Sequence, residues 1–245
     1  MENIFESWIV SNPIAHRGLF NNIDVAENSI SAFNKAISEN YSIELDVRML
    51  NDGTIIVFHD EKLCRMTGAD GYTDNCTYPQ IEHLKLLKTE DKIPTFEEVL
   101  KLVNGQVPLL IEIKNDGKIG LFEKKVYEML KAYNGEYAVQ SFNPFVLEWF
   151  KNNAPEIIRG LLSCNFKNSK LGFWQKRKLK KLAFASLCEP HFINYDIHAL
   201  PNRFVRKKHI KSLPLIAYTI RSEKEYLKAL KYCDNVVFDS FIPTI

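Results

Sequence analysis

Short β-prone runs alternate along this chain with longer stretches whose apolar residues recur every three or four positions. The runs cover residues 13–16, 43–47, 54–58, 108–114, 137–142, 157–163, 192–196, 215–220 and 235–239. Between them the helical period predicts helices over 30–37, 96–103, 121–133, 145–152, 176–187, 203–210 and 222–232. In the first of these Ile30, Phe33 and Ile37 share a face, and Asn28 or Ser29 can cap its start. Thr95 opens the next as N-cap, with Glu98 at the capping-box position and Asn104-Gly105 as stop.

Residues 51–53, Asn-Asp-Gly, join the second and third runs as a hairpin. Leaving out its return arm, eight β-then-α units remain in 245 residues, which predicts an α/β fold of the (β/α)8 (TIM) barrel type. A doubly wound sheet is the main alternative. It is weakened because no G-x-G-x-x-G or G-K-[ST] follows the first strand. Residues 60–92 carry turn chemistry, with Thr67-Gly68-Ala69-Asp70-Gly71 and Pro79. They read as a small insertion after the second-strand hairpin, within one domain spanning 1–245.

Polar residues break the strand pattern at particular places. In Ile43-Glu44-Leu45-Asp46-Val47 the two acids share one face of an otherwise apolar strand. With the turn centred on Asp52, antiparallel partners should sum to about 105, which sets Asp46 opposite His59. The other strand ends carry His16-Arg17-Gly18, Glu112-Ile113-Lys114 and Gln140-Ser141-Phe142. Barrels expose functional side chains at the C-terminal strand ends, so these residues are expected on one rim. Acids facing a barrel interior build a poor core and a good site for a hard cation.

Composition excludes several classes. The net charge of +2 demands no nucleic-acid partner, and no apolar run of about 18 residues could span a bilayer. The N-terminus, Met1-Glu2-Asn3-Ile4-Phe5-Glu6, lacks a basic-then-apolar leader pattern. Five scattered cysteines without a C-x-x-C suit free thiols in a reducing cytoplasm. The oligomeric state is not encoded in any of these features.

The set of residues suits phosphoryl transfer. Three carboxylates can hold Mg²⁺ or Ca²⁺. Arg17 and Lys114 can bind phosphate oxygens, and two histidines can divide acid and base roles. The ordered pieces Ala15-His16-Arg17-Gly18, Glu27-Asn28-Ser29, Glu44-Leu45-Asp46-Val47, Asp52-Gly53 and Val57-Phe58-His59-Asp60 carry a family resemblance. It continues through Arg65-Met66-Thr67-Gly68, Ile93-Pro94-Thr95, Glu112-Ile113-Lys114 and Gln140-Ser141-Phe142. Together they resemble the glycerophosphodiester phosphodiesterases, within the wider phospholipase-C-like phosphodiesterase barrels.

The resemblance implies a TIM barrel that splits glycerophosphodiesters into glycerol 3-phosphate and an alcohol. It implies that Glu44, Asp46 and Glu112 bind one divalent ion, that His16 and His59 are the acid–base pair, and that Arg17 and Lys114 touch the phosphate. Gln140 joins the substrate-binding set. The glycerol 2-hydroxyl is the implied internal nucleophile, giving a cyclic phosphate that water opens. Where the family usually has tryptophan on the seventh strand this chain has Tyr218, at a position that tends to line the alcohol or glycerol pocket. Two rival readings use the same barrel: a lysophospholipase D-like or phospholipase-like hydrolase of membrane lipid, and a barrel that binds phosphodiesters without turnover.

The family pattern does not explain residues 165–187. The stretch from Gln175 to Lys181 carries five basic residues, Lys176, Arg177, Lys178, Lys180 and Lys181. A solvated outer helix is one reading, with Leu179, Leu182 and Ala183 packing inward. The other is a weak lipid-surface contact through 166–181, with Phe166, Phe173 and Trp174 shaping the alcohol pocket or touching lipid. His83, His191, His198 and His209 have no comparable context and read as structural or surface residues.

Overall fold

The computed structural model describes residues 3–167, 171–209 and 213–243. Among the described residues nine strands alternate with helices: β1 (Ile14–Ala15), β2 (Ser42–Met49), β3 (Ile55–Val57), β4 (Leu109–Ile113), β5 (Tyr137–Ser141), β6 (Ile158–Ser163), β7 (Phe192–Asp196), β8 (Leu215–Ile220) and β9 (Asn235–Phe238). With β3 as the return arm of a hairpin, this is a (β/α)8 barrel. Two compact units make up the chain: Ala15–Tyr137, and Met1–Ile14 together with Ala138–Ile245.

In the Ala15–Tyr137 unit, β2 pairs parallel with β4 and antiparallel with β3. The parallel register sets Asp46 directly against Glu112. The hairpin differs from expectation by one residue: Val47 pairs with Val57 and Met49 with Ile55. Asp46 therefore lies opposite Phe58, whose N–H donates to the Asp46 carbonyl (2.9 Å). The loop itself sets this register. Leu50 N–H donates to Thr54 O (2.8 Å) and Gly53 N–H to Leu50 O (2.9 Å). Gly53, at φ 82°, supplies the left-handed residue that closes a three-residue turn.

The helix Ile30–Ser38 is capped by Ser29, whose Oγ accepts from Ala32 N–H (3.1 Å). The helix Phe96–Val103 has the full Thr95–Glu98 capping box and ends at Asn104, φ 43°. Segment 60–92 folds into short turns: Cys64–Thr67, a 3₁₀ turn Thr73–Asn75, and Tyr78–Ile81. Its Leu63, Met66, Ile81 and Leu86 pack with Ile56 and Phe58 in a small core of their own.

In the second unit β6, β7 and β8 pair in parallel register. Gly160 of β6 lies under the Phe192 ring; a Cβ there would come within 2.1 Å of it. A short helix, Trp8–Ser11, precedes the first strand; its apolar residues are too few to show a period. The Asn235 amide donates to Ile9 O (2.8 Å) and Asn12 O (2.7 Å). The stretch expected as one helix over 176–187 is two pieces, Phe173–Lys180 and Ala185–Cys188. Leu182 between them has φ 55°, which breaks the helical period. Leu182 is buried and Leu179 half-buried, but Ala183 is exposed rather than inward. The next helix is Arg203–His209. The end of its expected span, Ile210, lies outside the described residues, as do Asn168, Ser169 and Lys170.

Candidate active site

Strand pleating builds the centre of the site. Glu44 and Asp46 are two residues apart on β2, and Glu112 faces Asp46 from β4. Their relative exposures are 2 %, 0 % and 8 %. That rules out the wet face of an ordinary edge strand, where acids stay in water. One oxygen from each lies within 4.8 Å of the others. Oxygen ligands hold Mg²⁺ or Ca²⁺ at about 2.0–2.6 Å, so this spread suits a single ion. Asp46 Oδ1 is buried and accepts no hydrogen bond. Three hard oxygen donors with an unhydrogen-bonded oxygen among them fit a divalent cation.

Cations already stand among these acids. Lys114 Nζ donates to Glu112 Oε1 (2.7 Å) and lies 3.2 Å from Asp46 Oδ1, close enough for attraction but not aligned as a hydrogen bond. Arg17 has Nε 3.2 Å from Asp46 Oδ2 and donates from Nη1 to Glu27 Oε1 (2.6 Å). Arg17 also gives its backbone N–H to Glu44 Oε2 (3.1 Å). That contact needs Arg17 at φ 55° followed by Gly18 at φ 79°. A Cβ on Gly18 would meet the Ala32 backbone at 2.8 Å, so the turn holds the Arg17 N–H in place by close approach.

The electrostatics follow. Burial, together with the neighbouring Asp46 and Glu112, pushes Glu44 well above the usual carboxylate range, against the pull of Arg17. Burial acts the same way on Asp46, but Lys114, His59, Arg17 and His16 outweigh it and hold Asp46 ionised below the usual range. Both histidines thus act on the same carboxylate. Burial opposes the charge on Lys114 and Arg17, and the surrounding acids raise both nonetheless.

A second ring of contacts surrounds the first. His59 Nδ1 is 2.6 Å from Asp60 Oδ1. Arg65 reaches from segment 60–92 to hold Asp60 through Nε and through Nη2 (3.0 Å). The same guanidinium donates to Glu27 Oε2 (3.1 Å) and Oε1 (2.7 Å). One arginine therefore joins the carboxylate that orients His59 to the carboxylate that holds Arg17. Against burial, Arg65 and Arg17 draw Glu27 down to about 2. Asn28 donates to Asp46 Oδ2 (2.9 Å); Asn28 reaches the acids while Ser29 does the capping.

His16, Arg17, Glu44, Asp46, His59, Glu112 and Lys114 all belong to the Ala15–Tyr137 unit. Gln140 and Tyr218 belong to the other. Gln140 is buried and accepts from Asn194 Nδ2 (2.9 Å). Tyr218 donates to Ser163 O (2.9 Å), with its ring edge-on to Phe142 at 6.1 Å. Phe142 also meets Phe166 edge-on at 6.1 Å. Of the three aromatics expected to shape the alcohol pocket or touch lipid, Phe166 is buried, and Phe173 and Trp174 are each 70 % exposed.

The glycerophosphoryl diester phosphodiesterase family model matches residues 16–241. The chain belongs to that family. A glycerophosphodiester phosphodiesterase from Caldanaerobacter subterraneus subsp. tengcongensis is 37% identical over 161 residues, 61% of this chain and 65% of that relative, just under two thirds of its length. The YhdW protein of Bacillus subtilis is 28% identical over 225 residues, 88% of each chain. Among solved structures, an Oleispira antarctica phosphodiesterase in complex with the product sn-glycerol-3-phosphate superposes with a TM-score of 0.79. It is 23% identical and the match covers 95% of this chain and 94% of that one, a likeness of fold. Within this glycerophosphoryl diester phosphodiesterase fold, sequence reasoning missed the parts played by Glu27, Asp60 and Arg65. The signal was present as Glu27-Asn28, His59-Asp60 and Arg65-Met66-Thr67-Gly68, but partners 38 residues apart show no local pattern.

Proposed function

We propose that this chain hydrolyses glycerophosphodiesters to glycerol 3-phosphate and an alcohol with the help of one divalent cation. The observation that carries the reading is the buried cluster of Glu44, Asp46 and Glu112, in a chain whose family match runs from 16 to 241. Those carboxylates would hold Mg²⁺ or Ca²⁺. The ion would supply Lewis-acid polarisation of the phosphoryl group.

The rest of the mechanism falls to the protein's own groups. Arg17 and Lys114 grip the phosphate oxygens, exchanging part of their hold on Glu27, Asp46 and Glu112 for the substrate anion. One of His16 and His59 takes the proton of the glycerol 2-hydroxyl, which forms a new P–O bond as the bond to the alcohol breaks. The other imidazole gives its proton to the departing alkoxide. Water then opens the cyclic phosphate with the two roles exchanged. Asp60 on Nδ1 fixes the ring of His59 and leaves Nε2 to face substrate. In the other unit Gln140 and Tyr218 are the residues we assign to substrate binding, Tyr218 standing in an aromatic group with Phe142 and Phe166.

The match crossing both compact units supports reading 1–245 as one catalytic domain, with 60–92 an insertion in it. The five cysteines are free, and among the described residues no helix is long and apolar enough to cross a membrane. We read the enzyme as cytoplasmic, with a small water-soluble diester as substrate.

The test is turnover of several glycerophosphodiesters with Mg²⁺, with Ca²⁺ or with chelator. Chelation, His16→Ala and Glu44→Ala should each abolish glycerol 3-phosphate release. Substantial release in EDTA would sink the metal assignment. No release from any diester with either ion would favour a barrel that binds without turnover.

A further inference from the structure

Residues 157–188 contain no aspartate or glutamate. In the same span Lys167, Lys176, Arg177, Lys178, Lys180 and Lys181 are exposed or half-buried. The helix Phe173–Lys180 at its centre buries no residue. It is held down by its C-terminal backbone: Ser163 Oγ donates to Leu179 O (3.1 Å) and Tyr195 OH to Lys180 O (3.2 Å). Those anchors sit at the C-terminal ends of β6 and β7, the end from which substrates approach in barrels. Half-buried Leu179 and Lys176 mark the inward side. Opposite them, at i, i+3 and i+4, stand Trp174, Arg177 and Lys178, all exposed. Trp174 and Phe173 are each 70 % exposed and lie edge to face at 5.4 Å.

We propose that the helix Phe173–Lys180 is a docking face for an anionic lipid surface. Two independent observations meet on it. The cations have no carboxylate of their own segment to neutralise them, and they complement an anionic bilayer. The two aromatic rings stand clear of the protein, as tryptophan and phenylalanine do where they enter a headgroup layer. Nucleic acid is the competing polyanion. A single convex helix offers no groove to track its backbone, whereas a flat charged surface needs none. The inference does not depend on the proposed chemistry, because none of these residues belongs to the site.

Sedimentation with vesicles tests it, using phosphatidylcholine alone or mixed with phosphatidylglycerol. The protein should pellet with the mixed vesicles, stay soluble with phosphatidylcholine alone, and be released by high salt. Trp8 is buried and Trp149 half-buried, so a blue shift of tryptophan emission on binding reports Trp174, and Trp174→Phe should remove it. Arg177→Ala with Lys178→Ala should weaken partition by about 30-fold, two cations' worth of attraction. Thermal midpoints and turnover of soluble diester should match the wild type in these variants. No pelleting with mixed vesicles, binding unchanged in the double variant, or tighter binding to single-stranded DNA than to the vesicles would overturn the proposal.

Discussion

The β2–β4 pair and the helix Phe173–Lys180 are both crowded with charge, and they treat it in opposite ways. On the strands the acids point inward, lose their water and collect Arg17, Lys114 and Asn28 as partners. On the helix Arg177, Lys178 and Lys180 are exposed, keep their water and meet no acid from their own stretch. Desolvated charges must be matched atom by atom, whereas solvated ones interact weakly and remain free for a partner from outside. Charge density in a sequence therefore says little until the period of the element tells which way it faces.

The largest effect should separate the two buried acids themselves. Asp46→Ala leaves Lys114 and Arg17 as buried cations short of an anion, which should cost about 3 kcal/mol in urea unfolding as well as all activity. Glu44→Gln should also be inactive. Yet its metal-free stability should match the wild type within about 0.5 kcal/mol, because burial and neighbouring acids already favour the neutral form of Glu44. Equal destabilisation by both would mean that the two carboxylates are not electrostatically distinct. Lys178→Ala, on the solvated helix, is the control and should move stability by less than about 0.5 kcal/mol.

A smaller effect is expected at Arg65. Arg65→Met should lower kcat by roughly 10–100-fold, as for groups that orient the residues of a site. The acidic limb of the pH–rate profile should also rise, because Glu27 loses the arginine that draws it down to about 2. Arg65→Lys should restore part of the rate. A profile unchanged in Arg65→Met would reduce the residue to a structural support.

The smallest effect compares the two compact units by pH. Burial, with the charge of Arg159, pushes His191 from 6.5 down to about 4, and its Nδ1 accepts from Arg159 N–H (3.0 Å). The unfolded chain binds this proton first, so the contribution is present above about pH 6.5 and is lost as pH falls toward 4. Glu27 keeps its contribution until pH falls from 4.5 toward 2. Mild acid should therefore cost the unit that contains His191, Met1–Ile14 with Ala138–Ile245, first. Since the His191 ring is partly solvated, the loss should be on the order of 1 kcal/mol. Urea midpoints at pH 7 and pH 5 for wild type and His191→Gln check this; an equal drop in both would assign the loss elsewhere.

Nearly every strand was legible from the sequence, because apolar β-prone runs between helical periods leave few alternatives. So was the Thr95–Glu98 box, a local pattern with a local partner. The hairpin register was misjudged by one residue because it depends on Gly53 taking a left-handed conformation, which the residue permits but does not dictate. The break at Leu182 was hidden for the same reason: a positive φ at a leucine has no residue signature. His16, Glu44, Asp46, His59 and Glu112 were visible as charges out of place in strands. Arg65 was not, since a charged side chain in a turn-rich segment looks like any solvated one.

That Arg65 comes from segment 60–92 ties the proposed chemistry to a stretch built of short turns rather than strands. The segment has short turns, and its Leu63, Met66, Ile81 and Leu86 share a small core with Leu50, Ile56 and Phe58 of the hairpin. Such pieces open sub-globally, at lower free energy than the barrel beneath them. Each opening would free Asp60 and Glu27 together and let His59 and Arg17 drift. Activity should then fade at a denaturant concentration below the one that melts the strands, and amide protons of 60–92 should exchange ahead of those in β2 and β4.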